Sequence, residues 1–242
     1  MESLFPVVVG GAGACQCAFF VLVAAGIVGL IIYGIMKARE RREAVARLAA
    51  QWGLQYYPDD PFDLPARYAH FDLFDTGHSR SASNVMAGRI DGREAILCDY
   101  QYTTGSGKNQ STHSFQAAIL TLPILAARLH VRQESVFDKI ASWVGHDDLN
   151  FESAEFSRRY HVKCDNRKFA YDISHARLIE YLLACGDMPA LEMNGVTLLL
   201  YGNQGQVENL RRLMDIGQEI IRSIPEYVLH ERGPGGQEGG RA

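Results

Sequence analysis

Charged residues are missing from a long stretch near the start of the chain, residues 4–36. Within it, residues 17–36 are almost entirely apolar, with no proline and no polar stripe of the kind that a buried helix of a soluble protein shows. About 20 apolar residues are enough for a helix to cross the roughly 30 Å hydrocarbon core of a bilayer. The missing charge therefore predicts a transmembrane helix.

Lysine and arginine are absent before this segment, and that absence excludes a cleaved signal peptide with its basic start. Basic residues instead follow the segment closely, at Lys37, Arg39, Arg41 and Arg42. The positive-inside rule then predicts a single-pass protein of the plasma (inner) membrane, with its N-terminus outside and its C-terminal domain in the cytoplasm. Basic side chains at this depth attract anionic lipid head groups by about 1 kcal/mol each, so we expect these four to contact lipid.

Cysteine is scarce, with five residues and no metal-type spacing: Cys15, Cys17, Cys98, Cys164 and Cys185. The last three lie outside the apolar segment, and an odd number of thiols suits a reducing compartment. A net charge of −4 and a pI near 6.1 give no reason to expect nucleic acid as a partner. The composition predicts no metal and no cofactor.

Known catalytic motifs are also absent. The glycine-rich loop at residues 103–111 lacks the first glycine of a phosphate-binding loop and has Asn109 where that loop has serine or threonine. No Gly-x-Ser-x-Gly turn occurs either. One group of side chains remains that could bind a divalent metal or act as acid and base, at His70, Asp72, Asp75 and His78. Apolar residues alternate with them, as in a core segment, so a structural role is the competing interpretation.

The chain divides into four predicted parts: the N-terminus and transmembrane helix (1–36), a basic amphipathic helix (37–53), an α+β domain (54–230) and a disordered tail (231–242). Small residues at Gly10, Ala14 and Ala18 leave open a homodimer through the transmembrane helix.

The predicted domain combines antiparallel strands with helices. Asp91-Gly92 and Asn194-Gly195 each favour a tight hairpin turn between two strands, because both dipeptides tolerate positive φ angles. A strand at residues 114–122 extends the first hairpin into a three-stranded meander, and residues 57–61 read as a turn-rich connection. Further strands are predicted at 129–132 and 160–164, and helices at 135–145, 174–185 and 206–224. This order predicts an α+β fold with a meander, a hairpin and helices packed on one face of the sheet.

Several stretches resemble a family of bacterial single-pass membrane-anchored proteins built on a domain of unknown function. They are LAAQWGL (48–54), SNVMAG (83–88), THSF (112–115), FESAEFSRRY (151–160) and FAYD (169–172). The resemblance implies a bacterial plasma-membrane protein and transfers no catalytic residues.

These observations favour a membrane-tethered cytoplasmic module that binds a protein or envelope component and is not an enzyme. Two alternatives stay open at this point. One is a membrane-anchored hydrolase-like enzyme that uses the His70–His78 group, and the other is a domain that binds anionic lipid through its basic juxtamembrane residues.

Overall fold

A single long helix begins the structure. The computed structural model describes the backbone of residues 11–133, 151 and 153–233, with side chains from residue 22 onward. Helix α1 runs from Gly11 to Gln51 without interruption, so the predicted apolar and basic helices form one element. By length and composition, α1 is suited to crossing a membrane, as predicted.

The chain forms two units, Met1–Ala44 and Val45–Ala242. In the first unit, Lys37, Arg39 and Arg42 are exposed and Arg41 is half-buried. Arg39 forms an exposed ion pair with Glu43, one helical turn later, at 3.1 Å. The second unit holds the folded domain, and the four-part division proposed from the sequence stays a prediction.

The domain is built on one antiparallel sheet of six strands. The strands run in the order β1-β2-β3-β4-β5, and β6 also pairs with β4. Strand β4 is 23 residues long and therefore pairs with three different strands along its length. The strands are β1 (Gln55–Asp59), β2 (His78–Ile90), β3 (Arg93–Thr104), β4 (Ser111–Gln133), β5 (Tyr160–Cys164) and β6 (Ala190–Asn203).

The two predicted hairpin turns have different outcomes. Asp91 and Gly92 both have positive φ angles, 50° and 78°, and join β2 to β3 as predicted. The prediction of a turn at Asn194-Gly195 is wrong, because β6 continues through these two residues as one strand. Gly195 has a φ of 57° and pairs with Ala126, with a register shift on either side. Positive φ suits a β-bulge as well as a turn, and the long partner strand β4 allows β6 to continue.

The described part of the domain also contains α-helices, and α6 and α7 correspond to the helices predicted at 174–185 and 206–224. They are α2 (Leu64–Arg67), α3 (Asp72–Asp75), α4 (Ala154–Arg159), α5 (Arg167–Ile173), α6 (Ala176–Ala184), α7 (Glu208–Arg222) and α8 (Glu226–Arg232). The helix predicted at 135–145 lies outside the described residues. Two differences stand out: β1 occupies part of the predicted connection at 57–61, and α8 includes Glu231 and Arg232, the start of the predicted tail.

Two apolar clusters lie on opposite faces of the sheet, since residues alternate between them along each strand. Ala118 and Leu120 of β4 belong to the larger cluster with α5, α6, α7 and α8. Ala117 and Ile119 belong to the smaller, aromatic cluster, which α2 and α3 cover. The α+β fold with antiparallel sheet is thus confirmed, with the longer helices on one face and two four-residue helices on the other.

Candidate functional site

Three ionisable side chains meet under α3, on the face of the sheet that carries the aromatic cluster. Asp72 is the first residue of α3, His130 lies on β4 and Glu192 lies on β6. His130 and Glu192 are direct cross-strand neighbours in the sheet. We call this group, with Tyr201 and Arg128 beside it, the acid–histidine cluster.

Strand alternation places two of its members. His130 stands between Leu129 and Val131, and both of these belong to the larger apolar cluster. Successive side chains of a strand point to opposite faces, so the imidazole faces the other side. Glu192 follows the same rule between Leu191 and Met193.

The imidazole of His130 lies between two carboxylates. Its Nδ1 is 3.1 Å from Oδ2 of Asp72, and its Nε2 is 3.9 Å from Oε1 of Glu192. The hydroxyl of Tyr201 is 3.4 Å from the same Nε2. Arg128 donates to the other oxygen of Asp72 at 2.6 Å. The cluster therefore pairs two acidic groups with a guanidinium and a histidine.

Glu192 also holds the start of α3. Its carboxylate accepts the backbone N–H of Asp72 at 2.9 Å and, with a longer bond, that of Leu73 at 3.4 Å. The first N–H groups of a helix have no partner within it, so an acceptor from the sheet satisfies them. Glu192 thereby connects the short helix α3 to β6.

Burial and pairing shift the pKa values in opposite directions. The hydrogen bond from His130 lowers the pKa of Asp72, against the opposing effect of burial. Burial raises the pKa of Glu192, although the charge of His130 acts the other way. Burial also raises the pKa of Tyr201 well above its ordinary value.

The arrangement of the cluster is better suited to sharing a proton between its side chains than to binding a metal ion. Ligand atoms of Asp72, His130 and Glu192 all lie within 4.8 Å of one another, close enough for a cation. However, the ring presents one nitrogen to each carboxylate instead of one nitrogen to a shared centre. Arg128 already balances Asp72, and Glu192 already accepts two N–H bonds. Tyr201, with its raised pKa, is a poor nucleophile.

Of the four acid–base candidates predicted from the sequence, Asp72 alone belongs to this cluster. The ring of His70 lies against Phe71, at 4.4 Å between centroids, and burial lowers its pKa. Asp75 is 3.6 Å from Arg80, and Nε2 of His78 bonds the carbonyl of Gly105 at 2.9 Å. The structure thus gives these candidates separate partners.

The sequence analysis missed His130 and Glu192 because each lies far from Asp72 along the chain. A signal was present: Glu192 is the only charged residue of β6, and His130 lies between the buried apolar residues Leu129 and Val131. A buried strand rarely contains such a residue unless it is paired.

A second feature is a cleft of about 300 Å³ beside the start and end of β6. Side chains bonded to backbone hold its walls: Gln133 donates to the carbonyl of Gly186 at 2.9 Å, and Arg212 donates to that of Cys185 at 2.7 Å. Gln116 bonds both Gly205 and Gln206. We call this the β6 cleft; Tyr201 lines it and also belongs to the acid–histidine cluster.

Fold and site together define an α+β domain that follows an apolar helix and carries a preformed cleft. No model of a known protein family and no curated protein matches the sequence. Among solved structures, the chain is similar to the crystal structure of the mycobacterial trehalose monomycolate transport factor A, TtfA, with a TM-score of 0.52 and 15% identity. The match covers 78% of this chain and 96% of that chain. At this identity the likeness establishes a shared fold.

Proposed function

We propose that this chain is a membrane-tethered binding module, not an enzyme, and that its folded domain works in the cytoplasm as an accessory to the transport of an envelope component. The observation that carries the proposal is the fold shared with the solved structure of a transport factor, over 96% of that solved chain. It is joined here to a helix of membrane-spanning length and composition.

The acid–histidine cluster supports a binding role over a catalytic one. His130 and Glu192 are each less than 10% exposed as side chains, and α3 covers them. A general base must come within hydrogen-bond reach of a substrate proton, so a buried, fully paired histidine is poorly placed for that role. The hydrolase alternative, with His70, Asp72, Asp75 and His78, stays a hypothesis; Asp75 and His78 have their own partners, Arg80 and Gly105.

The basic residues after the apolar segment support the proposed orientation. Lys37, Arg39 and Arg42 are exposed on α1, as contact with anionic head groups requires. Lipid contact through these residues is the second candidate role. It accompanies the tether and does not exclude a protein partner.

Site-specific crosslinking in living cells tests the proposal. A photoreactive amino acid is placed, one position at a time, at the exposed apolar residues Leu125, Tyr171, Val196 and Tyr227 of the full-length chain. Matched positions on exposed polar residues, Asp59 and Gln101, serve as controls. We expect at least one apolar position to give a discrete adduct with a membrane transport protein, identified by mass spectrometry. Adducts at no position, or equal adducts at all positions, contradict the binding module.

A tag fused after Ala242 tests the orientation separately. In intact cells it should be protected from external protease and become sensitive only when the inner membrane is opened. Cleavage of the tag in intact cells contradicts the cytoplasmic placement. The binding role is tested independently, by the crosslinking experiment.

A further inference from the structure

The β6 cleft has the size and the floor of a small-molecule site. Its volume of about 300 Å³ lies at the lower end of the range for ligand pockets. Met188, Ala190 and Leu213 line it and are buried apolar residues. Because polar side chains bonded to backbone hold its walls, the cleft exists before any ligand enters.

Three carboxamide side chains at the cleft are uncommitted. Asn203, Gln204 and Asn209 line it, are exposed, and make no side-chain hydrogen bond to any other residue in the described part of the chain. Gln116 and Gln133, by contrast, donate hydrogen bonds from their side-chain amides to backbone carbonyls in the walls of the cleft. A carboxamide offers two N–H donors and one acceptor oxygen, so it can bond both the proton and the oxygen of a hydroxyl group.

The charges at the cleft disfavour an anionic ligand. Two arginines line the cleft. The guanidinium of Arg212 donates to the carbonyls of Cys185 and Asp187, and Arg132 also has an interaction partner, so neither is presented as an unengaged fork to a phosphate or carboxylate. The carboxylate of Asp187 lies on the same lining and repels negative charge. Beside these charged groups, the cleft offers an apolar floor and neutral carboxamides that both donate and accept hydrogen bonds.

We propose that the β6 cleft binds a neutral, polyhydroxylated ligand, a mono- or disaccharide or the sugar head group of a larger molecule. The carboxamides of Asn203, Gln204 and Asn209 bond its hydroxyls, and the C–H face of the sugar ring packs on Met188, Ala190 and Leu213. This goes beyond the proposed function and does not depend on it, since the cleft binds a sugar whether or not a transport protein is the partner.

Saturation-transfer NMR and calorimetry on the full-length protein test the proposal. The protein is held in lipid nanodiscs, because detergents with sugar head groups compete for the cleft. The probes are glucose, maltose and sucrose, with inorganic phosphate and citrate as anionic counter-probes. We expect saturable binding of at least one sugar with a Kd on the order of 1 mM, unchanged between low and high salt because the ligand carries no charge.

Variants locate the binding. Asn209→Leu and Gln204→Leu each remove one carboxamide at an exposed position, and each should weaken sugar binding about tenfold. The matched control, Asn109→Leu, changes an exposed asparagine of another loop and should leave the affinity unaltered. Thermal unfolding of every variant must match the wild type, which separates a lost contact from a lost fold.

Three results overturn the proposal: no saturable sugar binding up to about 10 mM, binding that both cleft variants leave intact, or salt-sensitive binding of the anions in preference to the sugars. The crosslinking experiment above is independent, so its failure and the failure of sugar binding are told apart.

Discussion

Glu192 gives the sharpest test of how α3 is held on the sheet. Replacing it with leucine keeps the volume and removes the acceptor for two backbone N–H groups, as well as a partner of His130. Each buried N–H left without a partner costs about 1–3 kcal/mol. We therefore expect Glu192→Leu to lose about 4 kcal/mol, a fall in Tm of about 10 °C for a domain of this size.

Glu192→Gln is the matched control, because it keeps an acceptor oxygen and removes the titratable group. Burial raises the pKa of Glu192 in the folded protein above its ordinary 4.5. An acid with a raised folded pKa contributes stability that is present below the unfolded pKa and is lost as the pH rises through the folded pKa. The stability of Glu192→Gln relative to the wild type should therefore increase as the pH rises above about 4.5.

Asp72 should show the opposite sign. Its pKa lies below the ordinary 3.8 because His130 bonds its charged form. Its contribution to stability is therefore present above that value and is lost as the pH falls through the folded pKa. Relative to the wild type, Asp72→Asn should become less stable as the pH rises out of the acid range.

Thermal unfolding of the full-length, detergent-solubilised protein between about pH 2 and pH 8 measures all three variants, since this range spans the acidic pKa values concerned. Two results refute the reasoning. One is a Tm for Glu192→Leu within about 2 °C of the wild type, which means that α3 does not depend on this carboxylate. The other is a Glu192→Gln variant that loses stability relative to the wild type as the pH rises.

Three further predictions concern the backbone, the thiols and the anchor. Gly77→Ala should lower Tm by several degrees more than Gly92→Ala. Both glycines have positive φ, but a Cβ at Gly77 would lie 2.5 Å from the carbonyl oxygen of Thr103, whereas a Cβ at Gly92 would meet nothing within 4 Å. Equal losses of Tm would contradict a clash at Gly77. Cys98 should react with a maleimide only after unfolding, because it is fully buried. Cys164 should react in the folded protein because it is only partly buried, although burial raises the pKa of both thiols. Equal rates for the two thiols in the folded protein contradict this. The four basic residues after the span are Lys37, Arg39, Arg41 and Arg42. Replacing all four with glutamine should produce a mixed topology in a reporter-fusion assay, and an unchanged orientation contradicts the positive-inside argument.

Local signals in the sequence were sufficient for much of the fold. The missing charge before Lys37 predicted α1, and Asp91-Gly92 predicted the β2–β3 hairpin. Both depend on neighbouring residues alone, on length and hydropathy in one case and on two φ angles in the other. The apolar spacing of α6 and α7 is equally local, and both helices were predicted near their observed bounds.

The failures depend on distant partners. Asn194-Gly195 was predicted as a turn because a dipeptide shows which φ angles it tolerates but not that β4 extends past it. The acid–histidine cluster was missed for the same reason, since Asp72, His130 and Glu192 come from three elements that only the assembled sheet brings together. Asp72 was selected together with three neighbours in sequence that contact other residues.

The length of β4 has a consequence during synthesis. Its two sides are completed at different times, because β3 precedes it along the chain and β6 is made only after β5, α5 and α6. At about 5–20 residues per second, a ribosome needs several seconds to deliver β6. During that wait, one edge of a long apolar strand stays unpaired and open to strands of other nascent chains. Slower translation or overcrowded ribosomes should therefore increase aggregation of this protein even when the finished fold is stable.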